Sequence, residues 1–171
     1  QLILAGPLPA GDGSEVAKLA KEARSALHAG QYENAIVLGK LALSKDDRHV
    51  PTMLVLATSY YFLGKRELAA AIVGIAQTID ASSAESYLIL GFLSLAKEDR
   101  IAATAAFKRA TELDPGSGLA WHNLSALYLL AKNYEQALFA CERSTVLLPG
   151  LLATQLNYGS ALRGMRRFVE A

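Results

Sequence analysis

A repeat with a period of about 34 residues runs through most of the chain and constrains its fold more than any other feature. When the sequence is shifted by one such period, small side chains fall into common columns without an insertion. The columns are Ala35, Ala69, Ala103, Ala137 and Ala171; Ala42, Ala76, Ala110 and Ser144; and Ala23, Ala57, Gly91, Ser125 and Gly159. Agreement over five registers identifies an internal repeat, which is the signature of a stacked repeat architecture.

Each repeat reads as two helices joined by a short turn. Apolar residues recur at helical spacing in its first half, as in Trp121, Leu124 and Tyr128. A turn with glycine or polar residues follows, such as Gly64-Lys65, and proline or glycine often stands near the end of the second half, as at Asp114-Pro115. The pattern predicts a helix-turn-helix unit in which the small columns let neighbouring helices approach closely.

This organisation resembles the tetratricopeptide repeat family. The fourth repeat carries most of the family pattern, with Ser for Gly and Cys for Phe: Trp121, Leu124, Ser125, Tyr128, Ala137, Cys141 and Pro149. The resemblance implies an all-α fold, a right-handed α-α superhelix (solenoid) of 34-residue helix-turn-helix repeats. The implied repeats are 16–49, 50–83, 84–117, 118–151 and a partial fifth at 152–171, after an irregular N-terminal tail at 1–15.

The fifth repeat is expected to reach only the start of its second helix. Solenoids usually end in a repeat with a polar outer face, because a single repeat cannot bury its apolar side alone. The sequence up to Ala171 shows no such polar cap. The expectation is therefore that the natural protein continues or that another chain covers this end.

The charge balance disfavours nucleic acid as a partner. The chain has 17 basic and 16 acidic residues and a formal net charge of +1, so the basic footprint of a nucleic-acid binder is missing. The longest apolar run, residues 68–76, is too short to span a bilayer, which predicts no membrane insertion by this segment. No signal peptide is recognisable, and the sequence leaves the compartment of the expected soluble protein open between the cytoplasm and, if a leader was removed, the periplasm.

Residues with the chemistry for catalysis or metal binding are isolated from one another. His28, His49 and His122 occupy unrelated repeat positions, so no pair has the one-turn spacing of a metal site. The single cysteine, Cys141, falls in a packing column and is expected to be a small buried apolar residue without a polarising partner. The prediction is a chain that is not an enzyme, with no catalytic residue, no metal and no cofactor.

The resemblance places recognition on the first helix of each repeat, which lines the concave face in this family. The side that does not pack into its own repeat is also apolar, more so than the exposed surface of a typical soluble monomer. The residues predicted to contact a ligand there are Leu54, Tyr61, Phe62, Leu88, Phe92, Leu95, His122, Asn123, Leu129, Leu130 and Asn157. The alternative is that some of these side chains pack between adjacent first helices.

Two family precedents for peptide binding can be compared with the sequence. Asn123 and Asn157 are one repeat period apart and match a column in which some members hold a peptide backbone by side-chain amides. The alternative is that these asparagines cap local structure or face solvent. The clamp that other members use for chaperone C-termini retains only Arg24, and Glu85 would repel a carboxylate, so this ligand is disfavoured.

The leading functional hypothesis is a non-catalytic protein-protein interaction scaffold whose concave groove binds a helical or hydrophobic peptide segment. The partner is a protein or peptide, and the terminal segments of the chain or a second copy of it are further candidates. Two alternatives belong to other classes: a regulatory or substrate-docking module of a larger enzyme, and a self-assembling structural unit.

Overall fold

The computed structural model describes residues 13–169, with side chains described through Arg166. Over this range the chain forms nine helices and no strand, which confirms the all-α class. The helices are α1 (Gly13–His28), α2 (Tyr32–Leu43), α3 (Val50–Phe62), α4 (Arg66–Ile79), α5 (Ala84–Ala96), α6 (Arg100–Leu113), α7 (Gly118–Leu130), α8 (Tyr134–Leu147) and α9 (Leu152–Val169). Most of the proposed N-terminal tail at 1–15 lies outside the described residues, and its last three residues already belong to α1, which begins at Gly13.

The helices belong to two compact units, Gln1–Ala81 and Ser82–Ala171. In the first unit, each of the four helices packs on the next, and α1 also contacts α3. In the second unit, α5 through α9 pack consecutively in the same way, and α7 also contacts α9. Contact between the first helices of successive repeats, in addition to contact within each pair, is the packing expected of stacked helix-turn-helix repeats.

The turn between the two helices of a repeat has the same backbone in four repeats. A residue with positive φ follows the first helix at Gly30, Gly64, Glu98 and Lys132, with φ of 72°, 74°, 61° and 58°. The next residue donates its N–H back into the first helix: Gln31 to the Ala26 carbonyl at 2.9 Å, Lys65 to Tyr60 at 2.8 Å, Asp99 to Ser94 at 3.0 Å and Asn133 to Tyr128 at 2.8 Å. This closure satisfies carbonyls that a helix end otherwise leaves unpaired.

The fifth repeat departs from this pattern. Helix α9 continues through Arg166, which lies one repeat period after Lys132 and is the place where the period predicts the turn. The predicted start of a second helix is therefore not observed within the described residues. Among the described residues, α9 packs on α7 and α8.

The core is built on the columns of small side chains. Ala35, Ala69, Ala103 and Ala137 are fully buried, and so are the members of the second column through Ser144. Gly91 shows why these positions are small, because a Cβ added there would collide with the ring of the buried Phe107.

Within the described residues, no helix is long and apolar enough to cross a membrane.

The non-glycine residues in left-handed turns make a prediction about stability. Lys132→Gly is expected to raise the free energy of unfolding by about 1 kcal/mol, because it removes the Cβ that disfavours a left-handed residue. Gly64→Ala is expected to lower the free energy of unfolding by about the same amount for the opposite reason. Urea unfolding measures both values, and Lys132→Ala, which retains a Cβ, serves as the control with little change. A loss of stability in Lys132→Gly would contradict the strain at this turn.

Candidate ligand-binding surface

In the first unit, an exposed aromatic group stands at the end of α3. The ring of Phe62 is 56% exposed, stacks on Tyr32 with centroids 5.0 Å apart and meets the edge of Tyr61 at 5.6 Å. Leu54, from the same predicted set, is only 2% exposed. Leu54 is therefore a core residue of α3 and offers no surface to a ligand, because α3 is covered by α1, α2 and α4.

In the second unit, the predicted residues of α5 are partly buried. Leu88, Phe92 and Leu95 pack against a buried cluster that contains Phe107 and Leu124. The rings of Phe92 and Phe107 meet edge to face with centroids 5.4 Å apart. These three side chains contribute to packing, which is the alternative that the sequence left open for them.

Apolar side chains are exposed at a cleft between α6 and α7, and only some of them belong to the set predicted from the sequence. Leu130 is 62% exposed and Leu129 is partly buried. Leu130 lines a cleft of about 450 Å³ together with Ile101, which is 86% exposed. The remaining lining residues are Arg100, Thr104, Ala105, Leu127 and Ala131.

Ile101 is not in the predicted set of groove residues, although the sequence distinguishes it from its counterparts in the other repeats. The residues at the same position of the other repeats are Glu33, Glu67 and Glu135. A position that is acidic in three repeats is a solvent-facing position, and an isoleucine there places a large apolar side chain in water. The break in the column therefore marks a surface that differs from the other repeats.

Hydrogen bonds between polar side chains connect α7, α8 and α9 in the second unit. The Nδ1 of the partly buried His122 is 2.9 Å from the Oγ1 of Thr154. Thr154 Oγ1 is 3.2 Å from the Oγ of Ser144, and Ser144 donates to the carbonyl of Gly118 at 3.2 Å. Thr154 and Ser144 are both fully buried. The four groups form one continuous chain of hydrogen bonds.

The two asparagines of the predicted set make different contacts. Asn157 of α9 donates to the Oγ of Ser125 at 3.1 Å, and Ser125 donates to the carbonyl of His122 at 2.6 Å. Asn123 donates to the carbonyl of Leu119, one turn earlier in the same helix, at 2.7 Å. Asn157 thus joins two helices, whereas Asn123 makes the local contact that the sequence left open as an alternative.

Burial determines the charge of the titratable groups around this network. It lowers the pKa of His122, so the neutral imidazole is favoured. Burial also raises the pKa of the Tyr128 hydroxyl and of the Cys141 thiol. Cys141 is fully buried, as the sequence predicted. Among the described residues, no group of three or more His, Cys, Asp or Glu side chains could hold a metal ion.

The helix-turn-helix repeats and their left-handed turns define a helical-repeat protein. The tetratricopeptide repeat model matches residues 84–117 and, in a second form, residues 106–139. Residues 84–139 therefore contain tetratricopeptide repeats. A comparison with curated proteins gives no significant match.

Solved structures with the same fold align with 72% to 92% of the chain. A crystal structure of the MamA protein is 25% identical, with 90% of this chain and 84% of that chain aligned and a TM-score of 0.66. PilF of Pseudomonas aeruginosa is 21% identical over 92% of this chain and 72% of its own, with a TM-score of 0.78. The first TPR of Spaghetti (RPAP3), bound to the HSP90 peptide SRMEEVD, is 19% identical over 72% of this chain and 98% of its own, with a TM-score of 0.63.

A buried serine provides a test of how polar groups contribute to this unit. The Oγ of Ser86 is fully buried and has no hydrogen-bond partner among the described residues, whereas Ala120 occupies the same repeat position. Ser86→Ala is expected to raise the free energy of unfolding by about 1 kcal/mol, because it removes a buried polar group that is not hydrogen-bonded. Thr154→Ala, also in this column, is expected to lower it by about 1 kcal/mol, because Ser144 and His122 lose a partner. Thermal and urea unfolding measure both changes, and a loss of stability in Ser86→Ala would contradict the assignment.

The lowered pKa of His122 predicts how stability depends on pH. The unfolded chain takes up a proton at the ordinary histidine pKa of about 6.5, before the folded protein does, so acid favours unfolding. The stability contributed by the neutral ring is fully present above that value and is lost as pH falls through the lower folded-state pKa. His122→Gln is expected to flatten this part of the pH profile of the free energy of unfolding. His28→Gln, at an exposed histidine, is the control expected to keep the wild-type slope.

Proposed function

We propose that this tetratricopeptide repeat protein is a non-catalytic interaction scaffold that binds a hydrophobic peptide segment of a partner protein. The observation that carries the proposal is the apolar cleft between α6 and α7, where the side chains of Ile101 and Leu130 are exposed to solvent. In the second unit, Leu88, Phe92 and Leu95 of the groove expected from the sequence are partly buried against the core, whereas Ile101 and Leu130 remain exposed.

The cleft has the properties of a site for an apolar anchor. Burying apolar surface stabilises a complex by about 25 cal/mol per Å² removed from water, and the exposed Ile101 and Leu130 are the side chains that would contribute it. Binding pockets of this kind combine apolar walls with a few polar groups that orient the ligand. Arg100 and Thr104 are the polar lining residues here.

Peptide binding by a related fold supports the class of ligand. The first TPR of Spaghetti (RPAP3) is similar in fold to this chain and was solved with an HSP90 peptide bound. The surface of this chain favours a different peptide, because its exposed side chains at the cleft between α6 and α7 are mainly apolar. An amphipathic or hydrophobic segment of the partner fits this surface better than an acidic tail.

Self-assembly is the alternative with a specific observation in its favour. Apolar side chains are also exposed on α8 and α9, namely Val146, Leu152 and Leu156. A homodimer formed through this surface would bury them. Light scattering over a wide dilution range separates the two functions, because a constant monomer mass contradicts self-assembly while leaving peptide binding possible.

The cleft predicts a specific pattern of binding loss. Peptides selected from a random dodecapeptide library on the wild-type protein are expected to bind Ile101→Glu and Leu130→Ser at least about tenfold more weakly, as anchor residues typically do when truncated. Ile101→Glu restores the residue of the other three repeats, so the fold is expected to persist, and circular dichroism checks this. Titration calorimetry measures the affinities.

The matched control is Val146→Ser, which removes an apolar side chain that is 81% exposed on α8, outside the cleft. It is expected to retain wild-type affinity for the selected peptides. Failure to select any peptide, or equal affinity of the two cleft variants and wild type, would show that the cleft is not the binding site.

A further inference from the structure

The hydrogen-bonded network of α7, α8 and α9 occupies positions that are apolar or small in the earlier repeats. His122 replaces Leu54 and Leu88, and Ser144 replaces the alanines of its column. Ser125 likewise follows Ala57 and Gly91 in its column, and Asn157 follows Val55 and Ile89 of the second and third repeats. Because the earlier repeats pack without these polar groups, helix packing does not require them. Buried polar networks instead fix the orientation of their members.

The geometry of this network determines the direction of every hydrogen bond in it. Ser144 has one hydroxyl proton and donates it to the carbonyl of Gly118. At the Ser144–Thr154 contact, Ser144 must therefore accept, and Thr154 donates its only hydroxyl proton. Thr154 must then accept from His122, so the ring proton lies on Nδ1. This is the tautomer in which Nε2 of the neutral imidazole is an acceptor.

The acceptor nitrogen of His122 is not used by the rest of the described protein. The only hydrogen-bond contact of the ring within the described residues is that of Nδ1 with Thr154. His122 is partly buried, so the residue retains some exposed surface. The imidazole thus resembles a ligand-binding histidine whose second nitrogen is held by the protein.

We propose that Nε2 of His122 accepts a hydrogen bond from an N–H or O–H group of the bound peptide, and that protonation of the ring releases this contact. The inference rests on the proposed function, and it names the chemistry of the ligand. His122 and Leu130 are eight residues apart on α7, which is about 12 Å along the helix axis. A ligand segment that contacts both side chains therefore spans at least about 12 Å, which corresponds to about four extended residues.

Charged groups around His122 do not compete with this role. Helix α7 contains no Asp, Glu, Lys or Arg. The charged side chains described on the helices that pack against α7 are all exposed: Arg100, Lys108, Arg109 and Glu112 on α6; Glu135, Glu142 and Arg143 on α8; and Arg163 and Arg166 on α9. The buried Cys141 and the partly buried Tyr128, whose pKa values are raised, stay neutral as pH falls. The imidazole is therefore the group whose charge changes at this face in mildly acidic solution.

The tautomer can be tested on the free protein without any ligand. Long-range nitrogen-proton NMR correlations of the histidine rings are expected to place the proton of neutral His122 on Nδ1. Thr154→Val should move the population towards protonation at Nε2, which is the form usual in water. His49 is the internal comparison, because its Nδ1 is 2.8 Å from Thr52 Oγ1 and either atom of that pair can donate. A wild-type His122 protonated at Nε2 would overturn the proposal.

Binding is tested with the peptides selected on the wild-type protein. Their affinity is expected to fall by up to about fivefold as pH falls from 8 through the pKa of His122, which burial holds below the ordinary histidine value of about 6.5, since one hydrogen bond to a neutral acceptor is lost. In His122→Gln this pH dependence should disappear. His49→Gln is the control that should retain it. A pH dependence that persists in His122→Gln contradicts the role of this ring.

The outcomes separate this inference from the proposed function. Selected peptides that depend on Ile101 and Leu130 but bind His122→Gln with unchanged affinity and unchanged pH dependence would overturn the inference alone. Failure to select any peptide would overturn the proposed function and the inference together, whatever the tautomer. The expected tautomer combined with a pH-dependent affinity that needs His122 supports both.

Discussion

The close approach of helices at the columns of small side chains is the constraint on which the rest of the structure depends. The alanines of these columns are fully buried in the first four repeats, and at Gly91 even a methyl group would collide with Phe107. Small residues bring backbones near enough for the larger side chains around them to interdigitate at the density of a protein interior. Because the columns recur once in every repeat period, the same helix pair is built again and again.

The turns follow from the same repetition. Each first helix of the four complete repeats is closed by a left-handed residue and a hydrogen bond back into the helix, whether glycine, glutamate or lysine stands there. Packing of the second helix against the first offsets the conformational cost of a non-glycine residue in this conformation. In the fifth repeat the described residues form no such turn, and α9 continues through Arg166.

The second unit departs from repetition in two places, and both bear on function. Ile101 breaks a column of glutamates and opens an apolar cleft beside Leu130. His122, Ser125 and Ser144 replace apolar or small side chains and, together with Thr154, form hydrogen bonds that orient an imidazole. A repeat protein can vary such positions without losing its fold, because each repeat depends mainly on its neighbours.

The sequence by itself determined the all-α class, the period, the number of helices in each complete repeat and the buried state of Cys141. These properties are local or periodic, so a pattern along the chain contains them. Only the tertiary structure decided which apolar residues of the first helices remain accessible. Leu54 and Leu130 follow the same helical pattern, yet one is covered by three helices and the other borders a cleft. Accessibility depends on the helices that pack alongside, and the spacing of residues within one helix does not specify them.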